Sequence, residues 1–320
     1  MPMPDDAPAH RPAPPDRPGP PPGQLRRLRR PDGLYLHWVR HGPARPGAEP
    51  LLLLHGLASN ASRFEEFCEH SALARQRPLL RVDLRGHGAS VSRAALDSET
   101  WCDDLAALLA AEQAGRAVVV GHSLGAQVAL RLAQRHGGLV AGLVLIDPVF
   151  RHALHGRPLR VARAAPLWRL AATTVRGLNR LGLRRRHLPP LDLRAMDELA
   201  RQALADPDPA AEARFIARYS SARADLRHLP LAVYLQDLVE MFRPVPAPGG
   251  LGLPVLALLS SGATFAEARA MREALAGPQV QIQTIDCHHW PLTERPAEVR
   301  QAIEAWVAAS FPLPPLPPAP

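Results

Sequence analysis

The chain contains no lysine: its 38 basic side chains are all arginine, set against 30 acidic ones for a formal net charge of +8. Aromatic residues make up only 5% of it and nowhere interleave with arginine in a recognised nucleic-acid module, which excludes nucleic acid as an expected partner. Three cysteines, Cys68, Cys102 and Cys287, offer neither an even disulfide framework nor a metal-ligand spacing, so reduced thiols and a cytoplasmic location are expected. No run approaches the ~18 apolar residues of a membrane span. The opening Met1-Pro2-Met3-Pro4-Asp5-Asp6 lacks the basic and apolar regions of a secretory signal, and export by that route is not expected.

What the chain does have is 320 residues that are 47% hydrophobic, enough for a large core, and the expectation is one domain carrying an insertion. Residues 1–31 are rich in proline, with Pro12, Pro14, Pro15, Pro18, Pro20, Pro21 and Pro22 close together, and read as a disordered arm; 312–320 read as a proline tail. Between them, apolar runs of strand length alternate with amphipathic segments of helix length, the pattern of parallel strands joined by crossovers. The strand runs are 34–40, 51–55, 79–84, 117–121, 141–147, 255–260 and 280–286; the helices are 98–113, 124–136, 265–276 and 297–311, the first capped by Asp97 or Ser98. Residues 149–252 break the rhythm and are helical by pattern, interrupted by Pro158, Pro166, Pro189, Pro190, Pro207 and Pro209.

Gly121-His122-Ser123-Leu124-Gly125 sits between the apolar run 117–120 and the helical stretch that follows. A serine between two glycines at a strand-to-helix junction is the signature of a nucleophile elbow, where a sharp turn pushes the hydroxyl outward. Leu51-Leu52-Leu53-Leu54 runs into His55-Gly56, Asp83-Leu84-Arg85-Gly86-His87-Gly88 ends a later strand, and His289-Trp290-Pro291 follows the last. These four segments, taken in their order along the chain, resemble the α/β-hydrolase superfamily over roughly residues 34 to 311. The resemblance implies an α/β fold with a mostly parallel central sheet, helices on both faces, and a helical cap inserted after the sixth strand, here 149–252. The core would then be 32–148 and 253–311.

The resemblance also implies roles. A serine hydroxyl needs a base within reach and a third group to orient that base. Ser123 would be the nucleophile, His289 the base, and the backbone N–H groups of Leu57 and Leu124 the oxyanion hole. His288 stands where that family usually has glycine. The acid is less plainly marked: the family's usual place after the seventh strand corresponds to Ala263 and the usual glycine to Ser260. Some members carry the acid at the end of the sixth strand, where this chain has Asp147, which keeps the order Ser, acid, His. Glu267, four residues beyond the usual place, is the alternative and reads better as the start of a helix; Asp286 is too near His289, and a pair without an acid is the third reading. His87 and His122 are expected to pack or bound the pocket, and Asp83 and Arg85 to be structural.

Residues 151–186 hold ten arginines and no Asp or Glu, with Arg169, Arg176, Arg180 and Arg184 on one helical face and Leu170, Thr174, Leu178 and Leu181 on another. A solvated basic face is the plainest reading, with the acidic stretch 192–212 neutralising it. An anionic substrate group or a transient membrane-surface contact are the functional ones, and the leucines with Trp168 favour lipid over nucleic acid. The expected activity is a serine hydrolase, of the carboxylic-ester class, cleaving a small or medium ester, thioester or related acyl or C–C bond with neither metal nor organic cofactor. The alternatives are an acyltransferase using the same residues and a ligand-binding protein with little turnover.

Overall fold

Leu51–Leu54, Ala117–His122 and Val140–Ile146 are buried along their whole length, as strands covered on both faces must be. The computed structural model describes residues 22–205, 208–262 and 266–313. It contains an eight-stranded sheet of β1 (Gln24–Arg29), β2 (Tyr35–His41), β3 (Leu51–Leu54), β4 (Leu79–Asp83), β5 (Ala117–His122), β6 (Val140–Ile146), β7 (Val255–Ser260) and β8 (Val280–Ile285). The spatial order is β1-β2-β4-β3-β5-β6-β7-β8, and β2 alone runs against its neighbours. The chain steps from β3 outward to β4, then returns past β3 to β5 and continues outward to β8. The direction of winding therefore reverses between β3 and β5, and the crevice at the carboxyl ends of these two strands is where open α/β sheets bind their ligands.

The helices are α1 (Glu65–His70), α2 (Ser98–Ala111), α3 (Leu124–Arg135), α4 (Gly156–Arg163), α5 (Ala165–Arg180), α6 (Leu193–Leu204), α7 (Pro209–Tyr219), α8 (Ala222–Asp225), α9 (Leu231–Met241), α10 (Ala268–Ala274), α11 (Pro291–Glu294) and α12 (Pro296–Ser310). Alternation along the strands sorts the core into two layers. Leu52, Leu54 and Val119 meet Trp101, Leu105 and Leu130 of α2 and α3, while Leu51, Leu53, Val118 and Val120 meet Phe67, Val299, Ile303 and Trp306 of α1 and α12. Asp97 caps α2 by accepting from the Thr100 N–H.

All seven expected strands are present, with ends within one residue of those expected. The arm is corrected: Gln24–Arg29 is not disordered but forms the edge strand β1, paired antiparallel with β2 from Gln24 opposite Arg40 to Arg29 opposite Tyr35. Its sequence QLRRLR shows no apolar alternation because an edge strand needs little burial, and its arginines discourage pairing with another chain. Residues 1–21 and 314–320 of the expected arm and tail lie outside the described residues, as do Ala263 and Phe265. The helix expected from 265 is α10, shorter at both ends, with Glu267 as its N-cap residue.

Helices α4 to α9 form the insertion between β6 and β7. It is tied to the sheet by buried polar contacts. Arg63, just before α1, pairs with Asp197 of α6 at 2.5 Å, and Asp197 also accepts from Thr293 and Tyr219 hydroxyls at 3.0 and 2.8 Å. At the other end Glu240 of α9 accepts from the Ser98 N–H and hydroxyl at 3.0 and 2.7 Å.

Candidate active site

The elbow is held by the absence of two side chains. A Cβ at Gly125 would stand 2.2 Å from the Leu54 carbonyl oxygen, and one at Gly121 would stand 2.3 Å from that of Gly125, so strand β5, helix α3 and strand β3 approach only because both positions are glycine. Between them Ser123 adopts φ 52°, ψ −113°, a strained conformation for a residue with a side chain, fixed by its N–H donating to Ile146 O at 3.0 Å. Its hydroxyl thus stands at the carboxyl end of β5, at the point where the winding reverses.

His289, in the turn after β8, places Nε2 2.9 Å from Ser123 Oγ. Its Nδ1 lies 2.5 Å from Asp147 Oδ2. Asp147 follows β6 directly, with φ 43° and its N–H donating to Leu258 O at 2.7 Å. The second carboxylate oxygen accepts from both the N–H and the hydroxyl of Ser260, at 3.0 and 2.9 Å. Burial alone would raise the Asp147 pKa, but the neighbouring His289 and the two Ser260 donors outweigh it, and the carboxyl is held below the usual aspartate value of 3.8. The chain thus brings a hydroxyl, an imidazole and an ionised carboxylate into one hydrogen-bonded line.

The two backbone donors expected beside this line are the N–H groups of Leu124 and Leu57. Leu124 is the first residue of α3, and N–H groups in a helix's first turn have no partner within the helix. The Leu57 N–H is aimed by His55. That ring accepts the Leu84 N–H on Nε2 at 3.1 Å, which puts its proton on Nδ1, and Nδ1 donates to Gly56 O at 2.9 Å. Because the trans peptide sets N–H opposite C=O, fixing the Gly56 carbonyl on His55 turns the Leu57 N–H the other way. Burial, then the nearby His87, hold His55 neutral, its pKa well below 6.5. His122, one residue before Ser123, donates from Nε2 to His289 O at 3.0 Å; burial, then His289 and Arg63, push its pKa down to about 3. It steadies the His289 backbone as a neutral ring.

The other candidates stand apart. Glu267 serves α10, its N–H donating to Ala153 O at 2.9 Å. Asp286 accepts from the Ser261 hydroxyl at 2.7 Å. Asp83 ties the Ala61 and Ala89 N–H groups, and Arg85 makes two bonds to Asp104 at 2.7 and 2.9 Å, both structural as expected. His87 is buried against Asp237 of α9 at 3.0 Å. Ser260 is the residue the sequence did not mark: its position corresponds to a family glycine, and only the β6–β7 register, which sets Ile146 beside Leu258, brings it to Asp147.

His288 turns away from Ser123 and sits between two carboxylates, Glu294 of α11 at 2.9 Å from Nδ1 and Glu212 of α7 at 2.9 Å from Nε2. Burial lowers its pKa, but the two glutamates outweigh this and raise it above 6.5. A raised histidine contributes stability that is fully present below its unfolded pKa and lost as pH rises through the folded one. Urea denaturation should therefore show His288→Gln less stable than wild type at about pH 5.5, with the gap shrinking by about pH 9; a gap that is constant or grows with pH would contradict the pairing.

A sheet that reverses its winding at a strained serine, with histidine and aspartate lined up behind it, defines the α/β class whose chemistry is carried at strand ends. The sequence profile of the alpha/beta hydrolase family matches residues 51–302, and the chain belongs to that family. A thermophilic esterase from Thermogutta terrifontis superposes with a TM-score of 0.64 at 25% identity, covering 90% of this chain and 99% of that one. Among curated proteins, a lipase of Mycobacterium tuberculosis is 37% identical over 39% of this chain and 45% of its own length. An sn-1-specific diacylglycerol lipase of Danio rerio is 36% identical over 31% of each, and ethanol acetyltransferase 1 of Kluyveromyces marxianus is 32% identical over 36% of this chain and 31% of its own. The chain thus spans less than half the length of these curated relatives.

Proposed function

We propose that the chain is a serine hydrolase that cleaves a small or medium carboxylic ester, thioester or related acyl bond through an acyl-enzyme on Ser123. The observation that carries this reading is the 2.9 Å contact of His289 Nε2 with Ser123 Oγ, with Asp147 on the opposite ring nitrogen. As Oγ attacks the acyl carbonyl, His289 takes its proton, and Asp147 stabilises the imidazolium that results. The carbonyl oxygen, now negative, is received by the Leu57 and Leu124 N–H groups, each worth about 3 kcal/mol to the transition state. His289 then protonates the departing alcohol or thiol, activates a water against the acyl-enzyme, and returns the proton to Ser123. The insertion acts as a cap: α7 lays Phe215 and Tyr219 on Trp290, the residue after His289, with ring centroids 5.3 and 5.5 Å apart.

Acyl transfer to an alcohol is a second reading, favoured by the similarity to ethanol acetyltransferases. Product analysis separates the two. With p-nitrophenyl butyrate and a low concentration of ethanol, a hydrolase yields butyrate as the main product, whereas a dominant yield of ethyl butyrate would replace hydrolysis by transfer. Release of nitrophenol no faster than from Ser123→Ala protein would leave only a ligand-binding protein with this fold.

A further inference from the structure

We propose that the outer face of α4 and α5 is a docking surface for an anionic lipid membrane. Helix α5 packs along α9, which in turn packs on α3, so one side of α5 faces inward. Ala172 lies there, and Trp168 turns its indole back to Val161 O at 3.0 Å. The opposite side carries Leu167, Leu170, Leu178 and Leu181, whose spacing places them on one stripe, exposed by 66%, 66%, 42% and 79%. A line of leucines left open to water along a helix is a surface that something apolar covers.

The charge beside the stripe says what kind of surface that is. Among the described residues, none of the ten arginines between 151 and 186 is ion-paired; Arg176 donates to Gln236 and Thr173, and Arg185 to the backbone carbonyls of Leu226 and Arg227. Among the described residues, the acidic side chains of the stretch expected to neutralise them are engaged elsewhere: Asp192 with the Ala195 N–H, Asp197 with Arg63, Glu198 with Arg194, Asp208 with Arg214 and Glu212 with His288. The positive charge is therefore free to meet an external anion. Leucines that enter the acyl boundary, flanked by arginines that reach phosphate headgroups, are the features of an interfacial helix. A second copy of this chain fits poorly, because a two-fold contact through this face would set the arginines of one copy against those of the other. A nucleic acid would use the arginines and leave the leucine stripe uncovered.

The test is co-sedimentation of the full chain with vesicles of pure phosphatidylcholine and with vesicles of about three parts phosphatidylcholine to one of phosphatidylglycerol. It reads binding alone, so its outcome is independent of whether Ser123 is the nucleophile. The wild type should sediment with the anionic vesicles and not the neutral ones. Leu170→Gln with Leu178→Gln, and separately Arg169→Gln with Arg180→Gln, should each weaken binding by about tenfold or more, and added salt should weaken it further. All four side chains are exposed, so thermal melts of these variants should match wild type. Failure to sediment with anionic vesicles overturns the proposal. So does binding that survives the leucine pair, a concentration-dependent dimer that this pair dissolves, or a shift of double-stranded DNA that only the arginine pair removes.

Discussion

Ser123→Ala is expected to lower kcat on p-nitrophenyl butyrate by about five orders of magnitude while leaving KM nearly unchanged. The hydroxyl is the only atom group removed. His289, the Leu57 and Leu124 N–H groups and the walls of the pocket stay, so the substrate still binds, but no covalent bond to the acyl carbon can form and the route falls back on direct attack by water. The strained backbone at Ser123, with φ 52°, is set by the elbow and not by the hydroxyl, so the variant should fold as the wild type does. Steady-state kinetics and a thermal melt on the same preparation check both halves. A loss below about tenfold would place the nucleophile elsewhere.

Asp147→Asn should lower kcat by about four orders of magnitude, the loss found when the orienting carboxylate of a serine protease becomes an amide. The direction follows from Ser260. Its N–H and hydroxyl both donate to Oδ1, which requires the oxygen of an asparagine to occupy that place and turns the amide NH2 toward His289 Nδ1. Nδ1 must then accept, the ring proton moves to Nε2, and His289 can no longer take a proton from Ser123. Glu267→Gln, measured beside it, should leave kcat within about twofold, because surface substitutions remote from the reacting groups cost little. If the two results were exchanged, the acid would be Glu267 and the ordering of the site would have to be redrawn.

Much of this was legible in the residues. The apolar runs announce the central strands because strands covered on both faces have no reason to alternate, and the glycines of 121–125 announce the elbow because no other residue fits there. Asp147 was legible by position and by order along the chain, though not by contact. What stayed hidden was hidden for physical reasons. Strand β1 carries arginines where a strand signal would need apolar residues, since an edge strand buries little. Ser260 supports Asp147 through a register between two strands whose segments are more than a hundred residues apart in the chain, which no local pattern encodes. Whether residues 192–212 would neutralise the arginines before them depended on which partners the fold offered, and it offered Arg63, Arg194, Arg214 and His288 first.

The central claim is that Ser123 is a nucleophile activated by His289. Its most direct test is to treat the full chain with a fluorophosphonate and map the adduct by mass spectrometry of its peptides. The account requires one phosphonyl group per chain, on Ser123, formed at a rate that His289→Ala abolishes. An unlabelled protein, an adduct on another serine, or labelling that persists without His289 would contradict it.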